Sequence, residues 1–97
     1  MRLIHLHRLN HDVTSWLAPL LAAFEKDTTI VLREQAIKHW LRAPTVVSKN
    51  VTIYALADDA HRFGITEDVL TDKDITPISD TQFARLVMRA DQVWSLP

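Results

Sequence analysis

The chain opens with alternating positions and then changes period. In Arg2-Leu3-Ile4-His5-Leu6-His7-Arg8, Leu3, His5 and His7 share one face of an extended strand, and Ile4, Leu6 and Arg8 share the other. Val13, Trp16, Leu17, Leu20, Leu21 and Phe24 then recur at helical spacing, which predicts an amphipathic helix. Pro19 disturbs that helix unless Ser15 is its N-cap, because only the first turn tolerates a missing N–H; the helix begins there or is kinked there. Thr28 to Leu32 is β-branched and apolar without polar alternation, as an interior strand covered on both faces requires. Glu34 to Leu41 puts Ala36, Ile37, Trp40 and Leu41 on one helical stripe, stopped by Pro44.

Val51 to Leu56 is the clearest third strand. Asp58 or Asp59 can cap a short helix running through Phe63, and Gly64, the only glycine, stands where a left-handed residue ends such a helix. Ile65 to Asp74 reads as a polar loop. Ile75 to Ile78 is a weak fourth strand, demoted by Pro77. Asp80 or Ser79 caps a helix carrying Phe83, Leu86, Val87 and Ala90 inward, and Gln92 to Leu96 is a fifth, edge strand. Strands alternating with short helices imply a small doubly wound α/β fold, with a mainly parallel sheet and helices on both faces, resembling flavodoxin or Rossmann layers. The 97 residues suit a single domain, 1–97, without repeat or linker.

Charge narrows the function. Lys plus Arg is 11 and Asp plus Glu is 12, interspersed without a basic block, so direct nucleic-acid binding is not expected. No apolar run approaches a membrane span and the start has no signal-peptide pattern, so the cytoplasm is the expected compartment. One glycine leaves no room for a nucleophile elbow or a phosphate loop, so hydrolase and nucleotide-binding readings are weak. There is no cysteine, hence no disulfide and no thiol chemistry.

Several segments together resemble the TusB/DsrH family of small sulfur-relay subunits. The opening Leu3-Ile4-His5-Leu6-His7-Arg8 looks like that family's first strand. Tyr54-Ala55-Leu56 with Asp59 and Gly64-Ile65-Thr66 looks like its central strand, short helix and turn. Thr81-Gln82-Phe83-Ala84-Arg85-Leu86 with Trp94 looks like its last helix and tail. Two places depart: Arg33-Glu34-Gln35 stands where the family often has an Asp-Gly pair, and Phe63 where it often has Arg. The resemblance implies an α/β subunit that assembles with TusC-like and TusD-like partners as a dimer of heterotrimers and needs no cofactor. Because sulfane transfer needs a thiolate to attack and hold sulfur, this thiol-free chain is expected to be a non-catalytic subunit, with the catalytic cysteine on the TusD-like partner. The implied process is 2-thiolation of the tRNA wobble uridine. A DsrH-like role in dissimilatory sulfur oxidation is the alternative, and a stand-alone α/β regulatory module the rival class.

No catalytic, cofactor or metal site is expected. His5 and His7 could present two imidazoles to a metal but lack a third ligand, and His5 reads more simply as a satisfied histidine under a helix. His7 and Arg8 close the first strand, where partners meet open α/β sheets, and Trp94 anchors a terminal segment; these three are the candidate partner interface. Asp58, Asp59 and Asp80 could hold magnesium as in a receiver domain, but such a domain needs acids after strand one, where His7-Arg8-Leu9 stands; capping explains them. Trp16 and Trp40 belong to the core.

Overall fold

The computed structural model describes residues 1–7, 11–23, 27–44 and 50–96, with the side chains of 11–16 and 96 left aside. The chain runs β1 (Arg2–Leu6), α1 (His11–Ala23), β2 (Thr28–Leu32), α2 (Gln35–Arg42), β3 (Thr52–Leu56), α3 (Ala57–Arg62), α4 (Glu67–Asp72), β4 (Thr76–Ile78), α5 (Asp80–Arg89) and β5 (Gln92–Leu96). The five strands form one sheet in the order β4-β3-β2-β1-β5, and every pair is parallel. The sheet is therefore wholly parallel, within the mainly parallel doubly wound fold expected.

From β1 to β4 the chain steps one strand at a time in one direction. Right-handed crossovers then bring α1 to α4 onto one face. Leu17 and Leu21 of α1, Ala36, Ile37 and Trp40 of α2, Ala60 of α3 and Leu70 of α4 accordingly pack on Ile4, Leu6, Ile30, Leu32, Ile53 and Ala55. Return from β4 to β5 crosses the sheet the other way, which sends α5 to the opposite face. There Phe83, Leu86 and Ala90 rest on Leu3, Val31, Leu56 and Ile78. The reversal falls between β1 and β5, the topological switch point of the sheet.

The two faces are covered unequally. A helix is about 10 Å across, whereas five strands about 4.8 Å apart span about 19 Å, so α5 alone covers about half its face. No residue of α5 is buried. Val87, expected inward, is instead partly exposed, because the helix's inner stripe is spent on Phe83, Leu86 and Ala90.

Three local expectations are corrected. Residues 65–74 are not a loop: Thr66 caps α4 through its side chain, which accepts from the Val69 N–H, and Leu70 is fully buried. Helix α1 spans His11–Ala23 with Pro19 inside it, so the helix starts well before Ser15. Neither Asp58 nor Asp59 caps α3, because β3 runs straight into the helix with Leu56 at the cap position. Of the two residues expected at the cap of α5, Ser79 holds it, with a reciprocal capping box: the Gln82 N–H donates to Ser79 Oγ and the Ser79 N–H to Gln82 Oε1. Gly64 has φ 72°, as the left-handed end of α3 requires. Trp40 is in the core; Trp16, Val13 and Phe24 lie outside the described side chains.

Candidate functional site

The carboxyl ends of β1, β2 and β3 lie side by side, which draws the residues after each strand into one cluster. His5 comes from β1, and its side chain lies on the α5 face by the alternation that puts Leu3 there. It is 7% exposed. Its ring stands 4.2 Å from the ring of His7 and 4.9 Å from that of Phe83, both tilted by 51°. The register pairs His5 with Ser95, and Ser95 Oγ lies 3.4 Å from His5 Nδ1. Nε2 is buried and has no hydrogen-bond partner. Burial, then the neighbouring His7 and Arg33, lower the His5 pKa to about 4, so the imidazole is neutral at pH 7.

The turn after β2 forms the second wall. Glu34 has φ 51° and ψ −128°, backbone space that favours glycine. Two interactions keep it there. The Glu34 N–H donates to Asp59 Oδ2 at 2.9 Å, and the Ala36 N–H donates to the His7 carbonyl at 3.0 Å. Asp59, in the first turn of α3 and 4% exposed, thus reaches back 25 residues to fasten the β2–α2 turn. Its charge is balanced by Arg33 Nε at 3.7 Å and, less closely, by Arg62 Nη2 at 3.9 Å. The Arg33 guanidinium also lies over the Phe83 ring, 5.6 Å from its centroid, while its buried Nε makes no hydrogen bond.

The constellation is a holding site. Asp59 is committed to a backbone N–H and two guanidinium groups, and His5 is sealed beneath α5. His7 and Glu34 stay accessible at the rim, with His7 Nδ1 3.9 Å from Glu34 Oε2. Among the described residues no group of three His, Cys, Asp or Glu is placed to hold a metal ion. His5 and His7 do meet, but as two rings tilted against one another.

The residues singled out in the sequence distribute as follows. His7 is at the carboxyl edge, as its strand position requires. Arg8 lies outside the described residues. Trp94 pairs with Ile4 in register, which puts it on the α1 face of the edge strand, half-buried, with the Arg2 guanidinium 5.8 Å from its ring centroid. It is therefore remote from His7 in kind: one residue belongs to the carboxyl rim and the other to the sheet edge. Asp58 and Asp80 are exposed and do not join Asp59. Sequence reading missed Arg33, Glu34 and Phe83 as members of the cluster. The available signal was their position just after strand two and on the inner stripe of the last helix.

No family model and no curated protein matches the chain. Among solved structures, it is similar to the conserved protein of unknown function BT1422 from Bacteroides thetaiotaomicron, with a TM-score of 0.74 over 98% of this chain and 94% of that one, at 17% identity. That likeness establishes a shared small α/β fold.

Proposed function

We propose that this chain is a thiol-free, non-catalytic subunit of a heteromeric sulfur-relay complex, acting with TusC-like and TusD-like partners in 2-thiolation of the tRNA wobble uridine. The observation that carries the reading is the half-covered sheet face. One helix with no buried residue spans it, and Met88 on that helix is 85% exposed while Val87 and the edge-strand residue Val93 are partly exposed. Exposed apolar residues grouped on one face favour burial against another protein. The resemblance of the strand, turn and helix segments to the TusB/DsrH family names the partners, and the small α/β fold is of the kind that family requires. Absence of cysteine assigns the persulfide-bearing thiolate to a partner, and weights the reading towards tRNA thiolation over sulfur oxidation. Among the described residues no helix is long and apolar enough to cross a membrane, in keeping with the cytoplasmic setting this process requires.

The test is association followed by sulfur loading. Co-expressed with TusC-like and TusD-like chains, this protein should co-elute with both in one complex on size exclusion. Treated with a persulfide donor, the TusD-like chain should gain about 32 Da, one sulfur atom, and this chain nothing, since only a thiolate attacks and holds sulfane sulfur. Elution of this chain alone as a free monomer would refute the proposal.

A further inference from the structure

On the far flank of α5 from Val93, the helix and the β3–β4 edge enclose an open cleft of about 390 Å³, lined among others by Tyr54, Thr76, Gln82, Arg85 and Arg89. This volume falls within the range of small-molecule sites, about 300–1,000 Å³. Its floor is the exposed flank of the sheet that α5 is too narrow to cover: Tyr54 and Thr76 are register partners and share the α5 face.

The cations are what the fold leaves unexplained. Arg85 and Arg89 are four residues apart, one turn of one helix face, where like charges repel. Among the described residues neither takes part in any ion pair, and both are exposed. Attraction to the helix dipole accounts for Arg89 in the last turn, but Arg85 lies mid-helix, beyond the reach of that effect. Both line the same cleft, beside the hydroxyls of Tyr54 and Thr76 and the carboxamide of Gln82. The capping box commits Gln82 Oε1 to the Ser79 N–H, which leaves the amide hydrogens of Gln82 as donors. The lining named here thus offers two fixed forks of N–H donors and further neutral donors, and among these five residues no carboxylate.

We propose that this cleft binds a phosphate monoester, with Arg85 and Arg89 sharing the dianion and Tyr54, Thr76 and Gln82 donating to its oxygens. Planar guanidinium groups match phosphate oxygens two at a time, so a doubly charged group answers both the charge and the geometry. A small ester suits the site better than a nucleic acid, because the remaining surface carries interspersed charges of both signs and the chain's net charge is −1. The inference stands apart from the sulfur-relay reading, since it uses neither partners nor sulfur.

The experiment is a titration of the whole ¹⁵N-labelled chain with phenyl phosphate and with inorganic phosphate, at matched ionic strength. Saturable shifts should concentrate on Thr76, Gln82, Arg85 and Arg89, with phenyl phosphate binding at about 1 mM or tighter, the range expected of a small solvent-open site. Arg85→Gln and Arg89→Gln should each weaken binding about tenfold, the loss of one charged hydrogen-bonding partner, with otherwise unchanged spectra because both side chains are exposed. Arg89→Lys should retain part of the affinity. Shifts reproduced by sodium chloride, equal binding by the double Gln variant, or an unstructured oligonucleotide binding better than phenyl phosphate would each overturn the proposal.

Discussion

Asp59 illustrates how one buried carboxylate decides a local backbone. It lies among Arg33, Arg62 and the Glu34 N–H, and so holds a glutamate where glycine would sit more easily. Asp59→Ala leaves that N–H and a half-buried guanidinium without their acceptor. It should lower the unfolding free energy by about 2–3 kcal/mol, with urea denaturation as the measure. Asp59→Asn keeps an acceptor and should cost less. Glu34→Gly should act in the opposite sense: it relieves the positive φ, gaining about 1 kcal/mol, or a rise of about 4–8 °C in Tm for a domain of this size. A fall in Tm would show that the Glu34 side chain matters more to the turn than its backbone does.

His5 adds a pH dependence at the same scale. Its folded pKa of about 4 lies below the unfolded value of 6.5, so the unfolded chain binds the proton more readily between those limits. Stability is therefore fully present above about pH 6.5 and is lost as pH falls towards 4, by about 2–3 kcal/mol. The free amino terminus is hydrogen-bonded and ion-paired to Asp91, which lowers the Asp91 pKa below its usual 3.8; this acts in a separate and more acidic window. His5→Phe, which also removes the orphaned Nε2, should flatten the profile between pH 6.5 and 4. An unchanged slope in that variant would assign the pH response elsewhere.

At the scale of elements, α5 is fastened by its capping box more than by burial. Ser79→Ala should cost about 1 kcal/mol, and amide exchange in α5 should accelerate before that of β1 to β3. Elements with a clear pattern were legible in the sequence: β2 because its β-branched and apolar run without polar alternation matches a strand whose every residue is buried, and α2 because Ala36, Ile37 and Trp40 recur at helical spacing. Helix α4 was not, since six residues with a single buried side chain, Leu70, carry no period to read. Its only marker is local, Thr66 followed by two acids at the amino end. The site was legible only in part. His5 and His7 alternate visibly, whereas the link from Asp59 to Glu34 depends on β2 and β3 being neighbours, which is a property of strand order. Pro19 shows the reverse case, a local rule overridden within a longer helix.

For the whole molecule, the unequal coverage of the two sheet faces is the feature to probe. Met88→Glu and Val93→Arg place charges on the thinly covered face without touching the buried core. Each should abolish or weaken co-elution with TusC-like and TusD-like partners at least tenfold, by burying a charge at an interface. Circular dichroism and Tm of the isolated chain should barely change, because exposed substitutions fall within about 0.5 kcal/mol. Loss of folding in both variants would mean that the face is closed within the chain itself.

Because β1 pairs with β5, residue 2 must meet residue 92 before the sheet is complete. On the ribosome, β1 is made first and can align with β2 once that hairpin-free crossover has emerged, but its other edge waits through some ninety residues of further synthesis. Closing so long a loop is slow. Throughout that interval the growing chain displays an unpaired strand edge beside His5, and a chaperone or an early-arriving partner would find there a binding site that the finished protein no longer offers.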